Sequence, residues 1–228
     1  AVQGGLTGAT WVITTNPLRS AEDRARAFVE NLARLRRLLE AVPSVTLVCT
    51  AAEYRAARAA GRHAAFIGVQ GGNALDRDLE ALDLLPDGVV LRGTLVHLTP
   101  SRIGASSAPL GRLFGEGLTA FGRDFVRGLE ARKVFVDLAH ISKRGFWDAV
   151  DVHDRTRPLL VTHTGVEGAY RHWRNLDDAQ LKAIAASGGT VGIMYHGPYL
   201  HPERAKRDVD AVVQHIEHAL RVVGDDFV

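Results

Sequence analysis

A single cysteine in 228 residues, Cys49, leaves no partner for an internal disulfide and no set for a cysteine-rich zinc module. No apolar run approaches the roughly 18 residues that a membrane span needs. The first residues, AVQGGLTGATW, lack the basic start and apolar stretch of a secretory leader. Charge of one sign is missing too. The 28 Lys and Arg against 26 Asp and Glu make a formal charge of +2 with no basic block, so neither nucleic acid nor a membrane is an expected partner. Low-complexity tracts, long linkers and obvious repeats are absent. With 46% apolar and 24% charged residues, the chain reads as one globular domain over residues 1–228, cytoplasmic by expectation. Cys49, in the run VTLVCT, reads as a small core residue. An initiator Met is lacking, and the chain stops in GDDFV, which reads as a starting strand. The expectation is a processed or cropped chain.

What is present is an alternation of short apolar runs with amphipathic segments. The runs are ATWVITT (9–15), AAFIGVQ (64–70), VVLRGTLVHL (89–98), VFVDLAH (134–140), PLLVTH (158–163) and TVGIMYH (190–196). Most lack strict alternation, as strands buried on both faces do. Between them, Ser20 with Asp23, Thr50 with Glu53 and Asp177 with Gln180 carry the capping-box spacing. Thr119, Ser142 and Asp208 precede further apolar stripes, and Gly61, Gly188-Gly189 and Gly224 mark helix stops. This order predicts an α/β fold with a parallel sheet, either doubly wound or most of a (β/α) barrel.

The polar residues at the strand ends favour the barrel. The runs close on Gln70, His97, His140, His163 and Tyr195-His196. In a barrel all strand ends face one mouth, so five successive strands converge on one site, whereas a doubly wound sheet binds at its switch point. No GxGxxG or Walker loop follows the first run. One histidine after an apolar run is commonly a hydrogen-bonded core or turn residue; two on adjacent strands, His140 and His163, make a normal half-site for a metal such as zinc. Asp137 reads either as a second-sphere partner of an imidazole or as a barrel-interior carboxylate. Arg174, in the loop after the His163 strand, has the planar fork that holds a carboxylate bidentately, though a surface arginine would read the same way. His215 and His218 in QHIEH lack the HExxH spacing and read as a solvated helix face. His63, His153, His172 and His201 carry no signal.

Taken together, IGVQGGNAL, GTLVHLTPS, GLTAFGRDFVRGLEARKVFVDLAHISKRGFWD, LLVTHTG, RNLDDAQLKAIAASGGTVGI and the helix text at 209–224 resemble the membrane (renal) dipeptidase family of zinc peptidases, a branch of the amidohydrolase-like metal barrels. The resemblance covers nearly the whole chain in order. It implies a TIM-type (β/α)8 barrel whose first and last strands lie outside the given sequence. It implies His140 and His163 as ligands of the deeper zinc, His97 polarising the substrate carbonyl, Arg174 holding the dipeptide's carboxylate, and Tyr195 and His196 lining the pocket. The implied reaction is hydrolysis of a dipeptide by a metal-activated hydroxide, with one or two zinc ions and a homodimer allowed.

The sequence departs from that pattern. Gln70 stands where the family has the Glu that bridges both metals, so this metal position loses a negative charge. Asn73 replaces the histidine usual after that motif, and the family's first-strand His-x-Asp and last-strand Asp are absent. The alternatives are a catalytically degenerate barrel that binds a peptide-like ligand or serves in an assembly, and a hydrolase of related small amides.

Overall fold

The computed structural model describes residues 4–99 and 101–228, with backbone only at 112–114. Ala1–Gln3 of the leader reading and Pro100 of GTLVHLTPS therefore lie outside the described residues. Six strands coincide with the six apolar runs: β1 (Gly8–Ile13), β3 (His63–Gln70), β4 (Val90–Thr94), β5 (Phe135–Asp137), β6 (Val161–Thr164) and β7 (Val191–Ile193). A further strand, β2 (Val45–Leu47), pairs with the first residues of β3. At three residues it is too short to show a period, and its pairing with β3 is what makes it a strand.

Among the described residues every ladder between these strands is parallel. The order runs β1-β3-β4-β5, a single bridge between Asp137 and Leu160 leads on to β6, and β6 pairs with β7. Apart from β2, spatial order follows chain order and never reverses, which is how a (β/α) barrel wall is wound; a doubly wound sheet must reverse once. The chain is thus α/β of the TIM-barrel type. β3 is buried along most of its length, as an inner strand should be. β1, paired with β3 alone among the described residues, keeps Trp11 43% exposed.

The helices are α1 (Ala21–Glu40), α2 (Ala51–Ala59), α3 (Ala120–Ala131), α4 (Lys143–Val152), α5 (Asp178–Ala186) and α6 (Val209–Val223). They start at the expected caps: Ser20, Thr50, Thr119, Ser142, Asp177 and Asp208 each accept a backbone N–H of the first turn. Thr50–Glu53 and Asp177–Gln180 close reciprocal capping boxes. At Ser20 the shorter Asp23 instead receives the Ser20 hydroxyl at 2.8 Å. The apolar stripes dock on the sheet: Phe28 and Leu32 of α1, Phe125 and Leu129 of α3, Phe146 of α4 and Ile184 of α5 share one core with Ile67, Val136 and Val161. Full burial of each such side chain contributes about 1.5–3 kcal/mol.

Three expectations are corrected. GDDFV is a 3-10 turn over Asp225–Phe227, not a strand, because paired aspartates after the left-handed Gly224 disfavour extension. Cys49 is only part-buried, lying past the end of β2, where its N–H donates to Glu53 Oε2 at 2.7 Å. His215 is 1% exposed, not solvated, since α6 turns that face onto the loops after β6 and β7.

Candidate active site

The site starts from a turn that only glycine permits. β3 ends on Gln70, and a Cβ on Gly72 would stand 2.4 Å from Ile103 Cδ1 and 2.7 Å from the Leu95 carbonyl. Without one, the Gly72 N–H donates to that carbonyl at 3.1 Å, pressing the turn onto the loop after β4. Gln70 and His97 meet there, with Gln70 Nε2 donating to His97 Nε2 at 3.2 Å. His97 lies three residues past the end of β4 and His140 three past the end of β5, so both are loop-borne. His140 has φ +69°, a left-handed backbone rarely adopted by residues other than glycine, asparagine or aspartate, and its carbonyl accepts from the Ser107 N–H at 2.7 Å.

The polar ends then follow one another around the mouth. The His97 and His140 rings are 4.6 Å apart, edge to face, and His140 Nε2 lies 2.7 Å from His163 Nε2, one hydrogen bond joining the two imidazoles. Burial, reinforced by the Arg174 charge, depresses all three rings: His97 and, far more, His140 go below the ordinary imidazole range, and His163 is pushed down to about 4 despite the opposing Asp137. These histidines are therefore neutral at pH 7, the form that binds metals.

Arg174 is 4% exposed and donates from Nη2 to the His163 carbonyl at 2.8 Å, while its Nε has no hydrogen-bond partner. Burial pushes its pKa down to about 10, against the pull of Asp137 and Tyr199, so it stays charged. Asn175 sets its loop, accepting from the Gly165 N–H and donating to the Tyr170 and Tyr199 carbonyls. A cavity of about 110 Å³ opens between His140, Ser142 and Lys143 on one side and Glu167, Trp173 and Arg174 on the other. An imidazole and a guanidinium with an unpartnered donor thus border one small cavity.

Two other sequence candidates stand apart. Tyr195 is 85% exposed, because β7 stops at Ile193, and His196 packs its ring 4.7 Å from Tyr199. Neither touches the Gln70–His97–His140–His163 line. Asn73 is structural: its Nδ2 donates to Thr15 Oγ1 and its backbone carbonyl accepts from Arg24 Nε, while Arg24 Nη2 donates to Asp76 Oδ1.

Beneath the line lies a buried network that sequence reasoning identified only at Asp137. This carboxylate accepts from Arg92 Nη1 at 2.6 Å, from the Thr94 and Thr162 hydroxyls at 2.7 Å each, and from the Ala139 and Thr162 N–H groups. It is an interior carboxylate, as one of the two readings had it. The signal for its partner was present: a lone arginine inside VVLRGTLV must find an anion once that strand is buried.

Among the described residues no three His, Cys, Asp or Glu side chains gather into a metal site. What is present fits half of one. His140 and His163 supply two neutral imidazoles whose Nε2 atoms lie 2.7 Å apart, Gln70 stands at the other end of the line, and tetrahedral zinc takes four ligands.

Comparison with known proteins gives the same direction. The family model described as membrane dipeptidase (peptidase family M19) matches residues 1–228. An uncharacterised protein from the region 5′ of pqqA in Klebsiella pneumoniae is 36% identical over 118 residues, covering 50% of this chain and 42% of its own length. An uncharacterised dipeptidase of Schizosaccharomyces pombe is 28% identical over 158 residues, covering 69% of this chain and 38% of its own length. The chain spans about half the length of the curated relatives it matches. Among solved structures, dipeptidase AC, an M19 metallopeptidase, superposes with TM-score 0.87 at 26% identity, over 99% of this chain and 71% of that one. A Rhodobacter sphaeroides metallopeptidase liganded with a phosphinate mimic of L-Ala-D-Ala superposes with TM-score 0.84 at 26% identity, over 99% of this chain and 73% of that one.

Proposed function

The chain belongs to the membrane dipeptidase family, peptidase family M19, and on that footing we propose that it carries the metal- and substrate-holding wall of a zinc dipeptidase. The carrying observation is the line Gln70–His97–His140–His163 with the buried, still charged Arg174 beside it. When bound, zinc (one or two ions) supplies a water acidic enough to ionise near neutrality and a Lewis acid for the peptide carbonyl.

This chain's own residues do the rest. His140 and His163 would hold the metal as neutral imidazoles, and Gln70 would offer it an uncharged oxygen. Arg174 takes the dipeptide's terminal carboxylate and so fixes the register of the scissile bond. With Nε2 engaged by Gln70, His97 has Nδ1–H to donate to the carbonyl oxygen as negative charge develops there. Tyr195 and His196 border the substrate from the loop after β7.

Full-length protein assayed with a panel of dipeptides, together with metal analysis, tests this reading. Expected are bound zinc and hydrolysis of dipeptides with a free carboxylate; neither metal nor turnover would sink it.

Gln70 also supports a second reading, a degenerate barrel that binds a peptide-like ligand without turning it over. A carboxamide adds no negative charge where a dication would sit. Ligand binding without hydrolysis would favour it. Turnover of small amides that lack a carboxylate, with dipeptides untouched, would instead indicate a related amide hydrolase.

A further inference from the structure

Thr162 lies between the buried Asp137 and the imidazole of His163, and proton counting there has one solution. Its Oγ1 is 2.7 Å from Asp137 Oδ2 and 2.9 Å from His163 Nδ1. A threonine hydroxyl has one hydrogen and two lone pairs. Every other group reaching Asp137 is a donor: the Arg92 guanidinium, the Thr94 hydroxyl and the N–H groups of Ala139 and Thr162. A carboxyl group surrounded by donors, one of them a cation at 2.6 Å, is ionised and only accepts. The Thr162 hydrogen therefore points at Asp137; otherwise two oxygen lone pairs would face each other at 2.7 Å. What Thr162 has left for His163 is a lone pair, so His163 Nδ1 carries the hydrogen and donates it.

We infer that Thr162 is a positioning residue which, relaying the Asp137 charge, locks His163 in the Nδ1–H tautomer and keeps its Nε2 unprotonated, the form in which it can bind a metal. The role rests on the proposed metal-holding function of His140 and His163. The backbone is shaped for it. Adjacent strand residues normally point to opposite faces, yet the Thr162 and His163 side chains meet, because the β6–β7 register shifts between Val161 and Thr164. The facing residue is Gly192, where a Cβ would come 2.2 Å from the Thr162 carbonyl, so glycine there lets the irregular strand close on β7. The same tautomer orders the histidine pair. Since His163 Nε2 carries no hydrogen, the one shared at 2.7 Å in the metal-free protein belongs to His140 Nε2.

Long-range proton–nitrogen spectra of full-length, metal-free protein labelled with 15N-histidine test the relay without any assay of activity, His163 being assigned by its loss in His163→Gln. Wild type and Thr162→Ser should both show His163 protonated on Nδ1. Thr162→Val, which keeps the shape and removes the lone pair, should move the hydrogen to Nε2 and weaken zinc binding about 10–100-fold, with Thr162→Ser restoring most of it. His163 protonated on Nε2 in the wild type overturns the relay, and this measurement decides the matter even if Thr162→Val does not fold. An unchanged tautomer and zinc affinity in a folded Thr162→Val overturns it too. The expected tautomers without dipeptide turnover leave the relay standing and defeat the dipeptidase reading; Nε2–H in a protein that hydrolyses dipeptides does the reverse.

Discussion

Gln70 Nε2 lies 3.2 Å from His97 Nε2, so the end of β3 and the loop after β4 are joined by an uncharged contact at the edge of the histidine line. An amide there can donate or accept but cannot offset the charge of a cation. Replacing Gln70 with Glu adds a carboxylate without changing side-chain length. We expect zinc to bind at least about tenfold tighter in Q70E, since opposite charge at contact distance in a part-buried site is worth several kcal/mol before desolvation. Competition with a chromophoric chelator reads this directly. Tighter binding with a large gain in turnover marks a degenerate ancestor; unchanged turnover with metal already bound in the wild type marks an adapted enzyme.

Arg174 is buried, charged and left with an unpartnered Nε beside the cavity that His140 lines. Lysine keeps the charge but loses the fork. In Arg174→Lys the KM for dipeptides should rise about 10–100-fold, the worth of one or two charge-assisted hydrogen bonds. Dipeptide amides, which have no terminal carboxylate, should be hydrolysed poorly and equally by both proteins. A KM unchanged in R174K would remove Arg174 from the substrate.

Asp137 is fully buried and accepts five hydrogen bonds, one from Arg92. Burial raises its pKa, but Arg92 and the two threonine hydroxyls more than offset this and hold the carboxyl below the usual range. Asp137→Asn leaves the Arg92 charge buried without its anion and should cost about 3–5 kcal/mol of stability. Urea denaturation checks this, and a loss below about 1 kcal/mol would mean that water or another group already compensates Arg92.

His215 joins two loops of the mouth: its Nδ1 accepts from the Val166 N–H at 2.8 Å and its Nε2 donates to the Leu200 carbonyl at 3.0 Å. Accepting from Val166 requires the neutral ring, whereas the bond to Leu200 survives protonation. Burial depresses its pKa, with the Leu200 carbonyl opposing and His218 and His201 adding to the depression. A lowered folded-state pKa means that the stabilisation is complete above the unfolded value of about 6.5 and is lost as pH falls below it. His215→Leu should therefore cost about 1–3 kcal/mol at pH 7.5, by stranding two backbone groups, and less at pH 5. Denaturation of both proteins at the two pH values measures the difference; a cost independent of pH would show that the ring does not titrate there.

Much of the frame was legible in the chain. Strand runs and helix caps are local signals: Thr50 with Glu53 and Asp177 with Gln180 close their boxes within four residues, and nothing distant is needed to read them. Gln70 and His163 sit at strand ends as read, whereas His97 and His140 lie three residues beyond theirs, on loops. β2 and the burial of His215 were not legible, because a three-residue strand exists only through β3, and a histidine on a helix shows its neighbours only once α6 has packed.

By itself, then, the sequence determined a parallel α/β wall with polar residues at or just past the ends of five successive strands, because apolar runs and caps act over a few residues. Tertiary structure alone decided which of those ends meet. β7 stops at Ile193 and leaves Tyr195 in solvent, whereas the Gly72 turn draws Gln70 to His97 and the irregular β6 sets Thr162 against His163. Such contacts depend on ångström-scale backbone approach between distant segments, and no short-range pattern in the chain encodes that distance.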